Sequence, residues 1–188
     1  MSEGMIIHHC DVFGLHWAVR RARNPHLVSF DDRQKLDDGE VDLAKRLGAV
    51  DSGSGHDCYL KGVTVNFDVY CDQSIHRQLL RYRFIDVVSS MSIEHSYKSI
   101  ILNDFLMQDV DPEYRTELKN KMASLPKRDV IRAMPMATLL GISFSTNYLQ
   151  LKTIYRQRRT HTHPGWAVFT EYIIDELPSF ALLTGVET

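Results

Sequence analysis

Three clusters in this sequence combine residue types and spacings that could do chemistry. The first is Gln78-Leu79-Leu80-Arg81-Tyr82-Arg83, followed by Ser89, Ser90 and Ser92. Gln78 and Arg81 share a helix face. Arg83 joins Arg81 only if the helix unwinds there, because a two-residue step points to the opposite side. Two guanidinium groups at such a turn, with serine hydroxyls and backbone N–H groups after it, suit phosphate or pyrophosphate oxygens. The same residues also suit a plain solvated helix end. The second cluster runs from Ser145 to Arg159, where Asn147 and Arg158 lie eleven residues apart, about three helical turns and so nearly in one line. With Leu151 and Ile154 between them, this is either a core helix whose ends reach solvent or the wall of a pocket that holds a planar base. The third is Arg159-Thr160-His161-Thr162-His163-Pro164-Gly165-Trp166. His161 and His163 could co-ligate a metal from an extended segment or form a hydrogen-bonded polar turn. No third ligand is evident nearby, and no metal site is assigned.

The elements that must position these clusters follow from local patterns. A strand is expected from Met5 to Val12, then a helix from Gly14 to Arg23 stopped by Pro25. Glu40 to Leu47 reads as a short helix with Gly48 after its end. Asp51 to Gly55 is a loop by composition. Val63, Val65, Phe67 and Val69 alternate with polar residues, the clearest strand signal in the chain. Asp72 N-caps a helix reaching Arg83, and Asp111-Pro112-Glu113 opens another that runs to about Leu125. A third helix is expected after Ser145-Thr146, continuing to about Arg159, and a last one from about Pro164 to Leu177, ended by Pro178.

Composition bounds the rest. The 188 residues are 44% hydrophobic and 24% charged, the balance of one globular domain. A formal charge of −2 gives no global attraction to nucleic acid or to a membrane, so an anion site must be local. No apolar stretch approaches a membrane span and no leader pattern opens the chain. Cys10, Cys58 and Cys71 form no C-x-x-C pair, so neither a disulfide framework nor a zinc knuckle is suggested and a cytoplasmic setting is expected.

Taken together, the segments resemble the flavin-dependent thymidylate synthases. Arg81-Tyr82-Arg83 with Ser90 or Ser92 is similar to that family's Arg-His-Arg triplet and following serine, and Gln78 stands where the family has a glutamine. Gly55-His56-Asp57-Cys58-Tyr59-Leu60 is similar to the family's Gly-His-x-Ser-Pro-Leu segment. Arg132-Ala133-Met134-Pro135 resembles its Arg-x-x-Leu-Pro element with one residue fewer. From Pro135 the spacing to Asn147 and Arg158 matches without a gap, and Arg159 to His163 before Trp166 resembles the family's ending with one residue inserted.

The resemblance implies an α/β (α+β) fold, a single domain over 1–188 with a mixed sheet and packed helices. It also implies a homotetramer with active sites at subunit interfaces. FAD would be held by Arg81, Tyr82, Arg83, His56, Asn147 and His163. A pyrimidine nucleotide monophosphate such as dUMP would meet Gln78, Ser89, Ser90, Ser92 and Arg159. Arg158 and Arg132 would act on the base or its phosphate as the catalytic arginines. Methylenetetrahydrofolate would donate the one-carbon unit, with NADPH as a reductant, and the cofactors would carry the chemistry. Departures from the family pattern fall on ligand contacts. Tyr82 replaces the triplet's histidine, Lys61 and Gly62 stand where a second upstream histidine is expected, and Thr153 replaces an asparagine. The arginine expected two residues after the serine is absent from Ser90-Met91-Ser92-Ile93-Glu94, leaving Lys98 as a substitute. Two expectations follow: FAD-dependent one-carbon transfer to C5 of a pyrimidine nucleotide, or a nucleotide-binding homologue that has lost flavin chemistry. A hydrolase with a metal on His161 and His163 is a third.

Overall fold

A computed structural model describes residues 4–26, 29–30 and 35–186; both ends of the expected 1–188 span lie outside these. Along the described residues run β1 (Met5–Phe13), α1 (Leu15–Arg21), α2 (Asp38–Gly48), β2 (Thr64–Asp72), α3 (Gln73–Leu79), β3 (Asp86–Ser90), α4 (Ile93–Leu102), α5 (Pro112–Ser124), α6 (Lys127–Arg132), β4 (Leu139–Asn147), α7 (Tyr148–Arg158), α8 (Pro164–Asp175) and α9 (Phe180–Thr184). A 3-10 turn, His56–Gly62, precedes β2.

The strands form where side chains alternate. In β2, Val65, Phe67, Val69 and Cys71 are buried while Asn66 and Asp68 face outward; in β4, Leu140, Ile142, Phe144 and Thr146 are buried between Gly141, Ser143 and Ser145. This period of two lays one apolar face on the helices and leaves one polar face. Phe67 and Phe144 stack with centroids 5.1 Å apart, a cross-strand pair worth about 0.5–1.5 kcal/mol beyond its burial.

The sheet order is β1-β2-β4-β3, and its pairing is antiparallel rather than mixed. Asp72 N donates to Gly4 O (3.1 Å), Gln73 N to Met136 O (3.0 Å) and Tyr148 N to Val63 O (3.1 Å). The connection from β1 to β2 (14–63) returns the chain to the end of the sheet it left, as does the stretch between β2 and β4 (73–138), which contributes β3 on the way, whereas a parallel pair needs a crossover along the sheet.

The chain divides into two compact units, one of Met1–His9, Phe67–Phe144 and Thr162–Val168, the other of Cys10–Asn66, Ser145–His161 and Phe169–Thr188. In the first, Ile100, Ile101, Met107, Leu118, Val130 and Leu139 form a core under the helices. Asp72 caps α3 as expected, Oδ1 accepting from the backbone of Ser74 and Ile75 at 2.9 Å. Asp111 caps α5 through Glu113 N and Tyr114 N, also at 2.9 Å. The helix expected to reach Arg83 ends at Leu79. β3, α4 and α6 were not anticipated.

In the second unit, α2 opens on a capping box between Asp37 and Glu40. Tyr148 meets Phe180 edge-on at 5.1 Å; α9, beyond the expected stop at Pro178, was not anticipated. The helix expected after Ser145-Thr146 begins instead at Tyr148, because the strand continues through Asn147. At the centre, the Lys152 ammonium donates to Gly48 O (2.7 Å), Val50 O (2.6 Å) and Asp57 Oδ2 (3.0 Å), with both side chains sealed from solvent.

Removing one partner of such a pair strands a buried charge. Lys152→Met is therefore expected to lower unfolding free energy by about 3–5 kcal/mol in urea titration. The thiols offer a second check. Burial pushes Cys10 up to about 11 and Cys71 up to about 12, whereas Cys58 is exposed. At pH 8, iodoacetamide is expected to label Cys58 in the native protein, and Cys10 and Cys71 only after unfolding.

Candidate functional site

In the first unit the Arg81-Tyr82-Arg83 segment lies in the turn just after α3, where Tyr82 N donates to Leu79 O (2.9 Å) and Ile85 N to Tyr82 O (3.1 Å). Tyr82 is 8% exposed and packs edge-on against Trp166, centroids 6.2 Å apart. With the middle residue turned inward, Arg81 and Arg83 are both exposed. Neither guanidinium pairs with a carboxylate among the described residues. The unwinding that allows both to face solvent is thus present.

Trp166 is fully buried, and its Nε1–H donates to Gln78 Oε1 at 2.8 Å. An indole nitrogen can only donate, so this contact sets the Gln78 amide with its oxygen inward and its NH2 group pointing away from Trp166. Ser89 and Ser90, at the end of β3, are exposed and line a cavity of about 390 Å³ with His8, Asp68, Tyr70 and Ser143. Ser143 Oγ donates to Asp68 Oδ1 at 2.5 Å. Ser92 occupies the N-cap position of α4 without a side-chain capping bond. Arg132, the last residue of α6, is exposed.

His163, expected as a cofactor contact or as part of a hydrogen-bonded polar turn, has both ring nitrogens hydrogen-bonded within the chain. Its Nδ1 accepts from Gly165 N at 3.2 Å, and its Nε2 lies 2.8 Å from Ser74 Oγ and 3.0 Å from Asp72 Oδ2. The residue types match a Ser-His-Asp triad, but the connectivity does not: serine and aspartate meet the same ring nitrogen, whereas a triad needs opposite ones. The cluster is a clasp tying the segment that bears Trp166 to the N-cap of α3. Gly4, at φ 84°, runs so close that a Cβ there would lie 2.9 Å from the His163 ring. Among the described residues no three His, Cys, Asp or Glu side chains gather as metal ligands.

In the second unit Asn147 is the N-cap of α7, its Oδ1 accepting from Gln150 N at 3.1 Å. The oxygen is thereby spoken for, and the amide NH2 is what Asn147 has to offer a ligand. Thr153 Oγ1 donates back to Leu149 O at 3.2 Å. Arg158, half-buried, ends α7, and Arg159 follows as an exposed C-cap.

His56 opens the 3-10 turn and lines a cavity of about 570 Å³ with Trp17, Arg21, Cys58, Tyr59 and Lys61. None of the described lining residues is acidic. The Arg21 guanidinium lies 6.0 Å from the Trp17 ring centre and 5.0 Å from that of Phe30. Its Nη1 is buried without a hydrogen-bond partner among the described residues. Trp17 rests on Gly62, where a Cβ would come within 2.8 Å of the indole. Burial pushes the Tyr59 phenol far above its ordinary range while its hydroxyl donates to Ala44 O at 2.8 Å, so it is no base. An aromatic wall beside positive charge suits a planar anion. Sequence reasoning gave no role to Trp17 or Arg21 and noted Lys61 only as standing in place of a family histidine; Arg20, Arg21 and Arg23, close together at the end of the first helix, were the available signal.

No family model matches the chain, and no curated protein matches its sequence. Among solved structures it is similar to the flavin-dependent thymidylate synthase ThyX from Helicobacter pylori complexed with FAD and dUMP, at a TM-score of 0.70 and 16% identity, covering 96% of this chain and 97% of that one. A second structure of Helicobacter pylori ThyX with FAD and dUMP gives a TM-score of 0.71 at 16% identity, covering 96% of each chain. At this identity the likeness concerns the path of the backbone, and it extends over nearly the whole chain. The protein has the fold of the flavin-dependent thymidylate synthases.

Proposed function

We propose that this protein catalyses FAD-dependent one-carbon transfer, methylation or hydroxymethylation, to C5 of a pyrimidine nucleotide such as dUMP, with methylenetetrahydrofolate as donor and NADPH as reductant. The observation that carries the reading is that Arg81 and Arg83, with no carboxylate partner among the described residues, are both exposed on the turn after α3, in a fold whose similar solved structures hold FAD and dUMP. The residues present fit the cofactor: exposed guanidinium groups suit oxygen anions, and Arg21 Nη1 is a buried donor without a partner among the described residues, in a cavity with an aromatic wall. Bound flavin would supply the reducing equivalents.

The chain's own residues bind and polarise. Arg81 and Arg83 would hold the cofactor's pyrophosphate by charge-assisted hydrogen bonds. His56 and the Asn147 amide NH2 would help to hold it, and Tyr82 and His163 act from behind by holding the turn and the Trp166 segment. Gln78 presents NH2 donors to a nucleotide oxygen, with Ser89, Ser90, Ser92 and Arg159 around the sugar and phosphate. Arg158 and Arg132 place positive charge beside the base carbonyls, where negative charge develops as C5 becomes nucleophilic. The proposal includes a single functional domain over 1–188, assembled as a homotetramer whose subunits complete each other's sites. It also places the protein in the cytoplasm, in nucleotide biosynthesis. No described helix is long and apolar enough to cross a membrane.

The burial of Tyr82 favours one alternative, a nucleotide-binding homologue without flavin chemistry, because the ring replacing the family's histidine is nearly sealed from solvent against Trp166.

Titration with FAD distinguishes the two. Wild-type protein is expected to acquire a bound-flavin visible spectrum. Arg81→Ala and Arg83→Ala are each expected to weaken FAD binding by about 1.5–3 kcal/mol, roughly tenfold or more, with unchanged melting because both side chains are exposed. Stabilisation by dUMP with no response to FAD supports the alternative instead.

A further inference from the structure

Lys152 has no part in the chemistry proposed above, yet its ammonium is the centre of a built polar site. Its three hydrogen bonds, to Gly48 O, Val50 O and Asp57 Oδ2 at 2.6–3.0 Å, use all three of its protons. The partners come from separate stretches of the second unit. Gly48 and Val50 lie at the end of α2, Asp57 follows His56 in the 3-10 turn, and Lys152 sits in the middle of α7 between Asn147 and Arg158. Gly48 cannot be anything larger, since a Cβ there would fall 1.8 Å from Leu183 O and 2.6 Å from the Tyr59 hydroxyl.

The turn has few means of its own to hold its shape. Within it, Asp57 is anchored by Lys152, Tyr59 by Ala44 O and Leu183 O, and Leu60 by full burial. His56 and Lys61, the two basic residues of the turn that line the cavity, flank these anchors on either side. Stability alone does not explain the ion pair, because an apolar pair of similar volume commonly matches or exceeds one in a protein interior. Short, directed hydrogen bonds do something apolar contact does not: they fix the turn's position along α7 as well as its distance from it.

We propose that Lys152 is a positioning residue which, through Asp57, fixes the His56–Gly62 turn against α7 and so holds His56 in register with Arg158. The inference rests on the reading that His56 meets the flavin.

The test replaces both partners with apolar residues, Lys152→Met and Asp57→Leu together, in the full-length chain. The double variant is expected to melt cooperatively near the wild-type temperature. Amide hydrogen exchange across residues 56–62 should accelerate at least about tenfold while α3 stays unchanged, the mark of local rather than global opening. FAD should bind at least about tenfold more weakly, with a displaced visible band, a spectroscopic change that a purely structural pair would not produce. Wild-type exchange over the turn together with a wild-type flavin spectrum overturns the inference and leaves the flavin reading standing. Faster exchange with an unaltered flavin spectrum and affinity also overturns it, since the turn would then move without consequence. A wild-type protein that takes up no FAD overturns the flavin reading, and the claim on His56 with it. If the double variant does not fold, Asp57→Asn, which keeps an acceptor and removes the charge, is measured in the same way. Exchange over 56–62 is then expected to rise at least about threefold, and no change in it contradicts the proposal.

Discussion

Burial of the Tyr82 ring against Trp166 is the constraint from which the arrangement of the first unit's candidate site follows. In an irregular turn, neighbours of an inward-facing residue are driven outward, so one packed ring aims two guanidinium groups at solvent. The same indole donates to Gln78 and orients its amide. The His163 clasp on Asp72 and Ser74 secures the segment carrying that indole. One aromatic contact thus sets the direction of three polar side chains that a nucleotide or flavin would meet. An unpaired arginine gains little in water, but at a preorganised turn it becomes a ready partner for phosphate oxygens.

The second unit solves a similar problem with charge instead of aromatic packing. A sealed ammonium draws the end of α2, the His56 turn and α7 to one point, and each of its protons is matched by an oxygen. The cavity bordered by that turn is cationic and aromatic. Among the described residues Arg21 Nη1 is a buried donor with no partner, a group that a ligand oxygen would satisfy. In both units, therefore, the polar groups that face outward are held by neighbours that are firmly packed.

Much of this was legible in the sequence, and where it was not there is a physical reason. The alternation of Val65, Phe67 and Val69, and the caps at Asp72 and Asp111, announced their elements because local pattern and tertiary role coincide there. β4 carries the same alternation in Leu140, Ile142 and Phe144, but Ser145-Thr146-Asn147 also reads as a helix start; the cap is the last of the three and the strand runs up to it. β3 left no trace because all five of its residues are exposed, so its pairing with β4 defines it and its own apolar pattern does not. The end of α3 could not be read because Trp166, the partner that turns Tyr82 inward, lies far along the chain. By type His163 suits a ligand contact or a hydrogen-bonded polar turn alike, and the geometry supplies the partners of both ring nitrogens. Lys152 was detectable in principle, four residues after Tyr148 and three before Tyr155 on the buried face of α7, a position where an unpaired lysine would not be tolerated.

The fold, the exposed arginines and the oriented glutamine agree with one another, and together they locate the central claim at the turn after α3. A crystal structure of the protein grown with FAD and dUMP tests that claim most directly. The account predicts the flavin pyrophosphate within hydrogen-bonding distance of Arg81 and Arg83, with the nucleotide beside Gln78. Ligand density elsewhere, or both guanidinium groups still facing solvent in a crystal that contains bound FAD, would contradict it.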